Sequence, residues 1–137
     1  MTPITLEEIA AAHRRIEPYV HRTPIVTSAY VDDLVGGKVF FKCENLQKAG
    51  AFKARGATNA VLSLDASTAA RGVVTHSSGN HGQAVAYACA IRGIPAIVVM
   101  PDDAATVKID AVRAYGGNIV LVSRDQRDAR VASIVTS

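Results

Sequence analysis

The second half of the chain alternates short apolar runs with helix-length segments, and this alternation constrains the fold more than any other feature. Val73-Val74-Thr75-His76 reads as a short strand. Ser77 to Gly82 follows as a polar, glycine-containing loop, and Gln83 to Arg92 as a helix stopped by Gly93. Ala96 to Met100 is a continuous apolar run between Pro95 and Pro101, as expected of a strand covered on both faces. Ala104 to Tyr115 is predicted helical, with Gly116-Gly117 as its stop. Ile119 to Val122 reads as another strand. Asp125 to Ser137 reads as a charged helix with Val131, Ile134 and Val135 on one face. Strands alternating with helices imply a parallel sheet with right-handed crossovers. The expected fold class is therefore α/β, a parallel sheet with flanking helices.

The first half is less regular. Thr5-Leu6-Glu7-Glu8 is a capping box, so a helix should follow with Ile9, Ala12, His13 and Ile16 on one face, ending before Pro18. Thr23-Pro24 forces extended backbone. Ala29 to Leu34 is a short helix closed by Gly36-Gly37, and Lys38 to Cys43 alternates as a strand does. Glu44 to Gly50 is a loop, a helix runs from about Phe52 to about Leu64, and Asp65 to Gly72 is a turn and short helix. The change of pattern near Gly72 divides the chain into two parts, 1–72 and 73–137.

A length of 137 residues suits about one domain with its own core, and 49% hydrophobic with 20% charged residues is globular composition. The net charge of +3 is scattered, with Arg14-Arg15 the longest basic run. Nucleic-acid binding, which needs clustered charge and interleaved aromatics, is not expected. Cys43 and Cys89 form no C-x-x-C pair and read as two buried thiols in a reducing compartment. With no apolar leader and no run near about 18 apolar residues, the chain is expected to be soluble and cytoplasmic, without membrane association.

Two stretches invite a chemical reading. In a parallel sheet, the loop Ser77-Ser78-Gly79-Asn80-His81-Gly82 sits at the carboxyl end of a strand, where α/β ligand sites form. Free N–H groups at the following helix start favour an anion, and the glycines let it approach the backbone. The plain alternative is a tight βα turn with a serine cap. Earlier, Lys53 stands among small residues and one aromatic, in Ala49-Gly50-Ala51-Phe52-Lys53-Ala54-Arg55-Gly56-Ala57. By itself it reads most simply as a solvated lysine. The G-x-G-x-x-G and P-loop patterns are absent, and no cluster has metal-ligand spacing. His13 and His21 read as solvated or structural, and Tyr87 and Tyr115 as packing residues. His76 either contacts the site or ends its strand. Arg127 and Arg130 are weaker candidates for the substrate.

Together, the two stretches are far more specific. Glu44-Asn45-Leu46-Gln47-Lys48, Gly50-Ala51-Phe52-Lys53-Ala54-Arg55-Gly56-Ala57 and Thr75-His76-Ser77-Ser78-Gly79-Asn80-His81-Gly82-Gln83 closely resemble the fold-type II pyridoxal-phosphate enzymes, the tryptophan synthase β-like fold. The nearest branch looks like threonine/serine dehydratase and serine racemase. His21-Arg22-Thr23-Pro24, Gly93-Ile94-Pro95-Ala96 and Tyr115-Gly116-Gly117 also match, so the resemblance runs from about Leu6 to Val122.

The resemblance implies that Lys53 forms the Schiff base with pyridoxal 5'-phosphate, that Phe52 packs near its ring, and that Asn80 hydrogen-bonds its ring hydroxyl. It implies that Ser77, Ser78, Gly79, Asn80 and His81 hold the substrate carboxylate. Ser78 matches the acid/base that faces the lysine in racemases. The β-substituting relatives usually carry threonine at the position of His81. Ala51 stands where serine is commoner. The implied activity is dehydration and deamination of L-threonine or L-serine to a 2-oxo acid and ammonia. The alternatives are racemisation of serine or another amino acid, and a non-catalytic carboxylate-binding or interaction module.

Members of the family are more than twice this long. They carry a glycine-rich phosphate loop, a group near the pyridine nitrogen and, in this branch, a metal site, none of which can be matched here. The expectation is the N-terminal part of the large cofactor domain over 1–72 and a small α/β domain, short of its last strand, over 73–137. Such a chain is a fragment or a shortened relative, with weak cofactor affinity, little turnover and exposed apolar surface that favours self-association. The full-length enzyme is expected to be a homo-oligomer.

Overall fold

A computed structural model describes residues 3–136. The chain opens with α1 (Leu6–Ile16). Its capping box forms as the sequence requires. Glu8 N–H donates to Thr5 Oγ1 at 3.2 Å, and Thr5 N–H donates to the Glu8 carboxylate at 2.8 Å. The basic residues His13, Arg14 and Arg15 lie in the last turn, where the helix dipole favours them. A 3₁₀ turn (Glu17–Tyr19) follows, and then β1 (Ile25–Val26) and α2 (Ala29–Val35). Ser28 caps α2, and Gly36 ends it at φ 68°, a left-handed conformation that glycine adopts without strain.

The predicted strand over 38–43 is shorter in the structure. Only β2 (Phe41–Lys42) pairs, antiparallel to β1, because β1 offers just two residues. Two 3₁₀ turns (Glu44–Leu46 and Lys48–Gly50) then lead to α3 (Lys53–Ser63). Ala49 and Gly50 both take positive φ here, 56° and 63°. The small side chain at Ala49 keeps the strain of that conformation low.

After α4 (Ala66–Ala70) comes the regular part: β3 (Val73–His76), α5 (Asn80–Arg92), β4 (Ala96–Pro101), α6 (Thr106–Ala114), β5 (Asn118–Val122), a 3₁₀ turn (Arg124–Gln126) and α7 (Arg127–Thr136). The three strands form a parallel sheet in the order β3-β4-β5, with Val73 opposite Ala96 and Ile97 opposite Asn118. The α/β class with a parallel sheet and flanking helices is therefore observed. α5 packs on α6 and on β3 and β4, α6 packs on β5, and α7 lies against β3 and β4.

The central strand β4 is covered on both sides, as its unbroken apolar run requires: Val98, Val99 and Met100 are fully buried. One core cluster joins Ala49, Ala57 and Val61 to Ala84, Val85, Ala88 and Cys89 on α5. Alanines on both helices let α3 and α5 approach closely. A second cluster, Ala86, Val98, Met100 and Val112, lies between α5, the sheet and α6. Tyr87 and Tyr115 pack edge to face, with centroids 5.3 Å apart. Both cysteines are free thiols. Cys89 is buried, and burial pushes its pKa up to about 11, whereas Cys43 is only half-buried. The expectation of two buried thiols holds for one.

Candidate functional site

Lys53 is the first residue of α3, and its position is set by a clamp two residues further on. Arg55 donates from Nε and Nη2 to the two carboxylate oxygens of Glu44, each at 2.8 Å, and from Nη2 to the backbone carbonyl of His21 at 3.1 Å. Thr23 Oγ1 donates to Glu44 at 2.6 Å. The bidentate guanidinium, together with the Thr23 hydroxyl, holds the Glu44 carboxyl at about 2, well below its ordinary range. Gln47, buried, bonds both the N–H and the C=O of His21 at 2.8 Å. Residues 21–23 and 44–47 are thereby tied to the first turn of α3. The Lys53 amine remains accessible and stands 5.2 Å from the centre of the Phe52 ring.

A cleft of about 420 Å³ opens beside that amine. Phe52, Lys53, Gly56, Ala57, Ala60 and Val61 form one wall, and Val73, Val74, Thr75, His81 and Val85 the other. Its volume lies within the range of small-molecule sites. Small and apolar side chains flank an accessible amine and one aromatic ring. This donor set fits a flat heteroaromatic aldehyde, which needs a nucleophilic amine and slim walls. A cleft of about 460 Å³ along Arg71, Val73, Pro95, Ile97 and Ile134 is larger, but it holds none of the candidate residues.

His81 reaches the cleft because α5 begins earlier than its sequence suggested. The helix starts at Asn80 rather than Gln83, so Asn80, His81 and Gly82 form its first turn. Gly82 permits this. A Cβ there would stand 2.8 Å from Val98 Cγ1 and 3.2 Å from Ser77 Cβ. The turn is not the serine-capped alternative, because the N-cap Gly79 supplies no side-chain acceptor. Ser77 Oγ instead accepts from the N–H of Gly79 at 3.2 Å, inside the loop. Among the described residues, no side chain caps the first turn of α5, which suits an anion there.

Lys53, Phe52 and His81 thus line one cleft, whereas Ser77, Ser78 and Gly79 in the loop and Asn80 at the helix start do not line it and lie between two residues that do, Thr75 and His81. The His81 pKa is lowered, chiefly by partial burial and then by the Lys53 charge and the neighbouring His76. His76 ends β3 and faces Asp128 of α7 at 3.4 Å. Arg127 donates to the carbonyl of Arg124 at 2.9 Å. Two features escaped sequence reasoning. Gly56 and Thr75 line the cleft, and Lys108 of α6 donates to Asn80 Oδ1 at 3.2 Å. No local pattern marks a contact between residues 28 positions apart. Among the described residues, no group of three or more His, Cys, Asp and Glu side chains could hold a metal ion.

Comparison with known proteins gives the same family as the motifs. Residues 16–136 match the family described as pyridoxal-phosphate dependent enzyme. The chain is 51% identical over 119 residues to a serine racemase of Dictyostelium discoideum, covering 87% of this chain and 37% of that protein. It is 58% identical over 115 residues to a beta-hydroxyaspartate dehydratase of Paracoccus denitrificans, covering 84% and 36%. The solved structure of maize serine racemase superposes with a TM-score of 0.92 at 47% identity, over 98% of this chain and 42% of that one. The chain therefore spans little more than a third of the length of these curated relatives. On its motifs, its fold and these matches, the chain belongs to the pyridoxal-phosphate dependent enzyme family.

Proposed function

We propose that this chain carries the lysine and the substrate loop of an enzyme that works at the Cα of a small hydroxy amino acid, with racemisation of serine as the first reading. The observation that carries it is the shared cleft of Lys53 and His81, beside a helix start that has no side-chain cap among the described residues. The names of the relatives support racemisation over the threonine or serine dehydration that the motifs alone put first. Elimination is the second reading, supported by the 58% identity to a beta-hydroxyaspartate dehydratase.

Lys53 would hold the cofactor through its amine, Phe52 would pack against the ring, and Asn80 would bond the ring oxygen. When bound, pyridoxal phosphate withdraws electrons from Cα and makes its C–H acidic. The N–H groups at the start of α5, with Ser77, Ser78, Gly79, Asn80 and His81, would fix the substrate carboxylate. The lowered pKa of His81 keeps its ring neutral near pH 7, so it can act as a hydrogen-bond donor without carrying charge. Once free of its bond to the cofactor, the Lys53 amine would take the Cα proton on one side. In racemisation the Ser78 hydroxyl would supply a proton from the other, while elimination instead expels the β-hydroxyl.

The test is to incubate the chain with pyridoxal phosphate, reduce with borohydride and map the adduct by mass spectrometry. The expected adduct is on Lys53 and is absent from Lys53→Ala. An adduct spread over surface lysines, or none, would overturn the reading. Chiral analysis of L-serine incubations then separates D-serine formation from ammonia release.

A further inference from the structure

Lys108 lies in the first turn of α6, and Asn80 opens α5. The Lys108 ammonium stands 3.2 Å from the Asn80 Oδ1. An ammonium only donates, so only the oxygen of an amide can face it. The contact therefore decides which way round the Asn80 side chain stands. Its oxygen is committed to Lys108, and its NH2 is turned away as a pair of donors. Lys108 makes no ion pair among the described residues, and this exposed bond to Asn80 is the contact its ammonium makes to a side chain. A cation on the carbonyl also polarises the amide and strengthens its N–H groups as donors.

We propose that Lys108 is a positioning residue that holds Asn80 as an obligate hydrogen-bond donor in the candidate site. Its consequence for catalysis rests on the reading that Asn80 meets the ring oxygen of the cofactor. That oxygen is electron-rich and is served by a donor, whereas the amide oxygen would repel it. Lys108 removes the repulsive orientation before any ligand arrives, which is preorganisation of the site. The same contact bridges α5 and α6, so a shift of α6 relative to α5 would be felt at Asn80.

The test begins without cofactor. In the 15N-labelled chain the NH2 resonances of Asn80 are identified by their loss in Asn80→Ala. Lys108→Met is expected to move that pair, while Lys108→Arg, which keeps the cation, leaves it close to the parent position. Dispersed backbone amide signals show that each variant is folded. An Asn80 pair unmoved by Lys108→Met would overturn the proposal. In a second arm, absorbance titration with pyridoxal phosphate is expected to show binding weakened roughly tenfold in Lys108→Met, the size of one charge-assisted hydrogen bond, and largely restored in Lys108→Arg. Equal weakening in both variants would count against positioning through charge. If the parent chain takes up no cofactor while the Asn80 pair still responds to Lys108→Met, the cofactor reading falls and the hold of Lys108 on Asn80 stands.

Discussion

Arg55 grips Glu44 through two bonds of 2.8 Å, and it does so two residues after Lys53 on the same helical turn. The pair joins the first turn of α3 to the loop before it, so the setting of the lysine depends on an ion pair as well as on apolar packing. Both side chains are mostly withdrawn from solvent, at 27% and 19% exposure, which places the pair between the weak surface class and the costly buried class.

Acid should therefore loosen this region first. The Glu44 pKa lies at about 2 in the folded chain against an ordinary value of 4.5. A carboxylate with a depressed folded pKa contributes stability above its unfolded pKa and loses it as pH falls through the folded one. The contribution is expected to be complete above about pH 5 and to disappear between about 4.5 and 2. Glu44→Gln should cost about 2 kcal/mol at pH 7, after allowance for screening, and almost nothing at pH 2. Urea melts of parent and variant at the two pH values check this. A constant difference would contradict it.

Gly82→Ala should damage the site and the core together. The added methyl would meet Val98, which is fully buried and cannot swing aside, at 2.8 Å. The expected cost is about 1–3 kcal/mol in stability, the range for overpacking. The start of α5 must also shift away from β4. A melting temperature equal to the parent's would show that the turn yields freely.

Thr58 is fully buried, and among the described residues its hydroxyl has no hydrogen-bond partner. Thr58→Val keeps the shape and removes the unmet polar group. The substitution should raise stability by about 1 kcal/mol in a denaturant melt. Destabilisation by a similar amount would mean that the hydroxyl has a partner.

His81 offers a direct test of its closeness to Lys53. Burial is the larger cause of its lowered pKa, and the Lys53 charge is the second. In Lys53→Met the His81 midpoint, followed by the NMR signals of its ring, should rise but stay below its ordinary value of 6.5. An unchanged midpoint would separate the two side chains.

The legible parts of this protein were the local ones. Thr5 and Glu8 cap α1 because a capping box is a contact across three residues. Gly36 and Gly93 close their helices in the left-handed conformation that the sequence invites. The apolar run at Ala96–Met100 is the covered central strand, since only burial on both faces accommodates such a run. Errors fell where a distant partner set the boundary. The segment 38–43 pairs over two residues because β1 is that short. α5 begins at Asn80 because Gly82 packs directly on Val98 and lets the helix start against the sheet.

By itself, then, the sequence determined the alternation of strands and helices in the second half and the parallel class of the sheet, and it marked Lys53 and the Ser77–His81 loop as the candidate chemical stretches. Period, caps and turn residues act over a few positions and need no distant partner to be read. Only the tertiary structure decided that Lys53 and His81 line one cleft, that Glu44 and Arg55 clamp the lysine's helix, and that Lys108 meets the amide oxygen of Asn80. The first and last of these arise where α3 and α6 close on α5, and the second where α3 meets the loop before it. Helix packing depends on the complementary volumes of alanines and valines far apart in the chain, which no local pattern records.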